Sequence, residues 1–239
     1  MRVPVLCYHR VEQPPVGAEL DTNFVTPSDF LTHIRTLVAR GFSGVTVRDI
    51  ARWQHGEQPL PPRPIAITFD DAYSSVGHTA LPILAAEGWP CTVFAVSSQL
   101  GGTNAWDDHA PPAQLMTGSE LRDLASNGHE IGSHSRHHRR IRGLTGSDAA
   151  EELTGSRADL ESLLGAPVVS FAFPYGSHDG RALATVAAAG YRAACTLKRW
   201  ANGQGANPLR IGRISIGGPL PAWQLGLKLL KAFATPHRS

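Results

Sequence analysis

The chain has 239 residues, of which 42% are hydrophobic, enough to build the core of one large α/β domain or two small ones. A net charge of +2, with eleven His left neutral, gives no overall field that would argue for nucleic acid or acidic membranes. Three cysteines, Cys7, Cys91 and Cys195, sit in separate apolar runs and exclude a disulfide framework. The opening Met1-Arg2-Val3-Pro4-Val5 has no apolar stretch behind a basic one, and no run approaches a membrane span, so the expected setting is the cytoplasm.

Val3 to Tyr8 reads as a buried strand ending at His9-Arg10. A helix follows, with Ser28 as the expected N-cap, apolar Phe30, Leu31, Ile34, Leu37 and Val38 at helical spacing, and Gly41 as the stop. Val47 to Trp53 is a short helix. Pro59 to Pro64 is a stiff connector leading into the β-branched run Ile65 to Phe69, which suits a strand buried on both faces. From there helices and strands alternate. Thr79–Glu87 is helix, Cys91–Val96 strand, Ser97–Pro112 a long loop and Gly118–Asn127 a helix capped by Thr117 or Ser119. Glu130–Ser133 is strand, Asp148–Leu164 a long amphipathic helix, Val168–Phe173 strand and Arg181–Ala189 helix. Arg192–Leu197 and Arg213–Ile216 complete about seven strands, and Trp223–Phe233 is a terminal helix. Such alternation without a linker predicts a single domain over residues 1–239 around a parallel sheet, open or closed into a barrel. In a barrel the working residues gather at the C-terminal ends of the strands.

Those ends carry titratable groups. Ile65 to Phe69 runs into two adjacent acids, Asp70 and Asp71. Neighbouring side chains on a strand point to opposite faces, so both acids reach one site only if the backbone turns there. Asp71 is alternatively an N-cap for the next helix. His134 and His138 stand four apart, which on a helical turn would aim both rings the same way. Two imidazoles and a carboxylate from Asp71 would make an open Zn²⁺ site; the competing reading is two solvated histidines in a basic loop. Asp70 is then placed as a base for the water such a site activates. His9 is a candidate general acid or a histidine bonded into the barrel rim. Pro174 and Gly176 would fix the Tyr175 backbone N–H outward, as an oxyanion donor or simply as part of a turn. Arg139, Arg140 and Arg142 read as a solvated run or as contacts to an anionic substrate. Trp223, Leu227 and Leu230 form a helical stripe beside Lys228 and Lys231; core packing is its expected role, and membrane-surface contact through this helix the other.

Together these residues resemble the polysaccharide deacetylase family (carbohydrate esterase family 4, the NodB homology domain). Thr68-Phe69-Asp70-Asp71 is similar to the family's first motif, base then ligand. Gly128 to His138, reading G-H-E-I-G-S-H-S-R-H-H, is similar to its second, and Phe171 to Gly176 to its third. The resemblance spans roughly residues 3–216, leaving the helix 223–233 beyond it. It implies a distorted (β/α)7 barrel, a divalent metal (usually Zn²⁺, with Co²⁺, Ni²⁺ or Mn²⁺ as alternatives) on Asp71, His134 and His138, and removal of N-acetyl groups from amino sugars. Two departures stand out. Many members carry Arg where this chain has Ala172, an Arg that orients the catalytic Asp, and the late region around Arg213 lacks the His that often serves as acid. Both features look like the branch acting on poly-N-acetylglucosamine, where a Tyr-His pair near the N-terminus supplies the acid; Tyr8-His9 matches it and supports His9. What replaces the Arg is left open. Pro174 is expected to line the sugar cleft, and Trp106, in Trp106-Asp107-Asp108, either lines it too or anchors the long loop. The rival readings are a metal-independent amide hydrolase on the same fold and a non-catalytic glycan-binding barrel.

Overall fold

The computed structural model describes residues 1–14, 23–107 and 111–235. Eight strands form one all-parallel sheet: β1 (Val5–Tyr8), β2 (Ser43–Val45), β3 (Pro64–Phe69), β4 (Thr92–Ala95), β5 (Glu130–Ser133), β6 (Ser170–Ala172), β7 (Ala193–Cys195) and β8 (Ile214–Ser215). Their order is β7-β6-β5-β4-β3-β1-β8, with β2 pairing the first half of β3 and β4 pairing its end. The sheet curls until its edges meet. Ile211 bridges Cys195 on one side, and Ile214 and Ser215 pair with Leu6 and Cys7 on the other. This is the distorted seven-stranded barrel that the resemblance implies, with β2 as an extra strand that the glycine-containing run at Ser43 hid from pattern reading.

Helices α1 (Pro27–Ala39), α2 (Val47–Gln54), α3 (76–85), α4 (Gly118–Ser126), α5 (146–164), α6 (Gly180–Ala188) and α7 (Ala222–Ala234) surround it. The N-cap of α1 is Thr26 rather than Ser28: its side chain accepts from the Asp29 N–H, and Pro27 takes the first helical position, where a missing N–H costs nothing. Thr117 caps α4 within a capping box completed by Glu120. α5 is continuous but contains a wider π-helical turn at Glu151–Gly155.

Strand periodicity divides the chain's apolar residues between two cores. Leu6, Tyr8, Ile65, Ile67 and Phe69 point outward to the helices, whereas Val5, Ala66, Phe94, Ala172 and Ala193 point into the barrel. The N-terminal end of the barrel is plugged by α2, whose Val47, Ile50, Ala51 and Trp53 join the inner core. Glu130 fixes this plug. Its buried carboxylate accepts from the Arg48 N–H at 2.8 Å, Thr92 Oγ1 at 2.8 Å and Ser170 Oγ at 2.6 Å. Burial pushes the Glu130 carboxyl upward, and these three donors oppose that shift. The free thiols Cys7, Cys91 and Cys195 are all buried, as their apolar neighbours imply.

The stripe Trp223, Leu227 and Leu230 does not enter the core. α7 packs through Leu225, Gly226, Leu229 and Ala232, and the stripe faces outward. Both faces of this helix are apolar, so spacing alone could not say which would be buried. No helix of the described residues is long and apolar enough to cross a membrane.

Truncating Glu130 to Ala leaves two hydroxyls and a helix N-terminal N–H without their acceptor. Glu130→Ala is expected to lower stability by about 2–4 kcal/mol, measured as the shift of a urea unfolding curve.

Candidate active site

The site begins with the parity of β3. Ala66 and Thr68 face the barrel interior, so Asp70 does too, and its N–H continues the ladder to Tyr8 O at 3.0 Å. A continued strand would send Asp71 to the opposite face. Instead Asp71 and Ala72 take left-handed backbone angles, φ 70° and 56°, and the chain folds back so that both acids stay buried in one pocket. Six non-glycine residues among those described have positive φ. Five of them, Asp71, Ala72, Ser135, His138 and Tyr175, lie at strand ends around this pocket.

His134 and His138 do not lie on a helical turn. They flank a bend after β5 in which Ser135 and His138 are left-handed, φ 68° and 59°. The bend brings the rings together at 5.0 Å between centroids. Glu152, on the π-helical turn of α5, holds the bend in place. Its buried carboxylate accepts from the backbone N–H of Arg136 at 3.1 Å and of His137 at 3.0 Å, and it bonds the His137 ring at 2.9 Å. Glu152 was not singled out from sequence. The available signal was an acid in register with Ser156 and Leu160 on the buried face of α5.

Asp71 Oδ1 is buried without a hydrogen-bond donor, and it faces His134 Nε2 at 3.5 Å and His138 Nε2 at 3.3 Å. The outer nitrogens are occupied: His134 Nδ1 lies 2.8 Å from Ala172 O, and His138 Nδ1 lies 3.2 Å from the Tyr175 hydroxyl. Donation to a carbonyl puts the His134 proton on Nδ1 and leaves Nε2 with its lone pair toward Asp71. Burial lowers the His134 pKa to about 4, against the opposing pull of Asp70 and Asp71, so the ring is neutral near pH 7. An orphaned carboxylate oxygen and two imidazole nitrogens, all within 4.8 Å of one another, fit a divalent cation and do not fit an N-cap.

The partner of Asp70 is Arg213. Nη1 donates to Oδ1 at 2.6 Å and Nη2 to Oδ2 at 2.7 Å, a two-pronged bond to a fully buried guanidinium. Burial alone would raise the Asp70 pKa, but the Arg213 charge, with His134 and the Arg213 hydrogen bonds, holds it well below the usual carboxylate range. Arg213 also donates to Thr196 O and Thr68 Oγ1, each at 3.3 Å, and lies over the Phe94 ring. Gly132 makes room for that ring, since a Cβ there would meet Phe94 at 2.5 Å. With Ala172 where many members carry Arg, it is Arg213, just before β8, that pairs with the Asp70 carboxylate. An Arg between Ile211 and Ile214 in an apolar strand was the sequence signal for a buried acid partner.

His9 follows β1, and its ring is within 4.8 Å of both the Asp70 carboxylate and Cys7 Sγ. The Tyr175 turn uses the N–H groups of Gly176 and Ser177, which donate to Phe173 O and Pro174 O. The Tyr175 ring packs on His138, and the Arg140 guanidinium lies 4.0 Å above it. Trp106 stacks against His138 at 4.5 Å, half-buried at the mouth, and Pro174 opens the turn and is buried. Arg139 and Arg142 pair with Asp148 and Asp179 away from the pocket. Asp108 and His109 lie outside the described residues.

A family model, polysaccharide deacetylase, matches residues 57–194, more than half of the chain. The chain belongs to the polysaccharide deacetylase family. Among curated proteins it is 23% identical to the putative polysaccharide deacetylase YxkH of Bacillus subtilis over 90% of this chain and 72% of that one. It is 34% identical to the poly-beta-1,6-N-acetyl-D-glucosamine N-deacetylase of Escherichia coli K12, over 49% of this chain and 16% of that longer protein. The fold matches the Streptococcus pyogenes deacetylase PplD with a TM-score of 0.83 at 17% identity, covering 96% of this chain and 98% of that one. It matches IcaB of Ammonifex degensii with a TM-score of 0.79 at 23% identity, covering 95% of each. As a polysaccharide deacetylase, the chain is a hydrolase that removes N-acetyl groups from glycans, and its Asp71-His134-His138 cluster is the candidate site for the family's metal.

Two substitutions test this geometry. Arg213→Lys keeps a charge but loses the two-pronged bond, and is expected to lower kcat about tenfold or more with cation binding retained. Glu152→Ala frees the bend that carries His134 and His138. It is expected to weaken divalent-cation affinity roughly 10- to 100-fold, read by calorimetric titration.

Proposed function

We propose that this protein is a metal-dependent N-deacetylase acting on N-acetylhexosamine units of a glycan or glycan precursor. The observation that carries the reading is the convergence of Asp71 Oδ1, His134 Nε2 and His138 Nε2 beside an Asp70 held ionised by Arg213. Asp71, His134 and His138 would hold the cation. Their donor set suits Zn²⁺ best, with Co²⁺, Ni²⁺ and Mn²⁺ as alternatives. Once bound, such a cation would polarise the acetyl carbonyl and lower the pKa of a water beside it.

The chain's own residues do the rest. Asp70 takes the proton of the attacking water, with its carboxylate fixed in orientation by the Arg213 fork. As the water oxygen bonds to the carbonyl carbon, negative charge collects on the carbonyl oxygen. The Tyr175 N–H, which the turn does not use, donates to that charge. The C–N bond then breaks, and His9 delivers a proton to the departing amine. The products are acetate and a free amino sugar. Trp106 flanks the pyranose at the mouth, the indole offering an apolar face to the sugar ring, and the buried Pro174 shapes the pocket wall behind it.

The names of the relatives support the substrate class. The E. coli protein acts on poly-β-1,6-N-acetyl-D-glucosamine, and a Pestalotiopsis relative, 28% identical over 54% of this chain, is a chitin deacetylase. The higher identity and the acid at His9 favour β-1,6-linked N-acetylglucosamine.

The test is acetate release from β-1,6- and β-1,4-linked N-acetylglucosamine oligomers, with and without chelator. Release is expected to be faster from the β-1,6 series, lost on chelation and restored by Zn²⁺ or Co²⁺. Release that survives chelation would support a metal-independent hydrolase, and binding without release a non-catalytic barrel. His9→Ala is expected to lower kcat by about 10²- to 10⁴-fold, and full turnover would remove it as the acid.

A further inference from the structure

The modest net charge conceals a strong segregation. All 20 Asp and Glu fall before residue 180, while nine of the 22 Lys and Arg fall after it. The last quarter of the chain is therefore purely cationic. Of its cations, Arg213 is bonded to Asp70 and Arg192 to Glu57, while Lys228 and Lys231 lie on α7 itself, with Arg199 close enough to act on the Lys228 charge.

That surface is also apolar. Six large hydrophobic side chains are exposed among the described residues, and three of them lie on α7 at i, i+4 and i+7: Trp223 at 62% exposure, Leu227 at 46% and Leu230 at 65%. They form one stripe, because the helix buries its opposite face, Leu225, Leu229 and Ala232, against the barrel. Cations border the stripe on both sides. Lys231 is one turn from Leu227. On the other flank the Arg40 guanidinium lies 3.1 Å from where a Cβ on Gly226 would stand. Lys228 reaches back to Ser215 O at 3.0 Å, and Arg2 donates to Phe233 O at 2.5 Å at the helix end. A helix with Trp and Leu on its outer ridge, Lys and Arg along its flanks and no acid of its own matches the chemistry of a bilayer interface.

We propose that the outward face of α7 docks this protein onto an anionic lipid bilayer, with Trp223, Leu227 and Leu230 entering the headgroup–acyl boundary and Arg40 and Lys231 meeting lipid phosphates. A second copy docked face to face would set the same cations against each other, which charge repulsion disfavours. An anionic lipid surface complements both the stripe and its border. The inference does not depend on the catalytic reading, because α7 lies outside the pocket.

Co-sedimentation of the full chain with vesicles tests it. Binding to phosphatidylcholine vesicles containing about one-third phosphatidylglycerol is expected, with little binding to phosphatidylcholine alone and weakening as salt rises. The triple variant Trp223→Gln, Leu227→Gln, Leu230→Gln is expected to partition about tenfold more weakly or less, with an unchanged melting temperature and unchanged turnover of a small oligosaccharide. The pair Arg40→Gln, Lys231→Gln is expected to lose the preference for anionic vesicles, which keeps the proposal testable if the triple variant misfolds. No binding to anionic vesicles, or binding that both variants retain in full, would overturn it. So would self-association of the wild-type chain in sedimentation velocity that the stripe variant abolishes without any vesicle binding, since that assigns the face to a second copy.

Discussion

Two neighbouring carboxylates cannot share a dry pocket unless each has its own counter-charge. At an effective dielectric near 20, two unit charges about 4 Å apart repel by roughly 4 kcal/mol, and burial adds a desolvation cost to each. Here only Asp70 finds its counter-charge within the chain, in the buried guanidinium of Arg213, while Asp71 faces the ring nitrogens of His134 and His138, where a bound cation would supply the other. That partition suits adjacent, chemically identical side chains to different work. A carboxylate locked to an arginine stays ionised and fixed in direction, which aims it at a proton even as the arginine weakens it as a base. One left with an orphaned oxygen between two imidazole nitrogens is suited to hold a cation.

Much of the barrel exists to maintain this arrangement. The left-handed residues at 71, 72, 135, 138 and 175 bend the chain back into the pocket, and such bends persist only where neighbours over-determine them. Glu152 does so for the histidine bend through two backbone N–H groups, and the Tyr175 hydroxyl steadies His138 from outside. Phe94, admitted by Gly132, lies beneath Arg213, while Glu130 ties three strands and the plugging helix together at the other end of the barrel. Strain at the strand ends is thus opposed by hydrogen bonding and packing elsewhere in the same strands.

The pattern of alternation made the barrel legible in the sequence, and the position of titratable residues after strands made Asp70, Asp71, His9, His134 and His138 legible as a group. Their geometry was less so. Helical spacing brought His134 and His138 together for the wrong reason, since two left-handed residues align the rings and no sequence period encodes them. Arg213 was hidden because its partner lies 143 residues away, a separation that topology alone closes. The stripe on α7 was ambiguous because both faces of that helix are apolar, and only the packing of Leu225 and Leu229 decides which is inward. Summed charge hid the cationic C-terminal quarter in the same way: an average over the chain carries no information about where charges lie.

The division of labour between Asp70 and Asp71 is tested by cation titration by calorimetry run beside acetate release for Asp70→Asn and Asp71→Asn. Asp70→Asn is expected to bind the cation with nearly wild-type affinity and release no acetate, whereas Asp71→Asn loses cation binding and turnover together. Equal loss of cation affinity in both variants, or turnover surviving in Asp70→Asn, would contradict it.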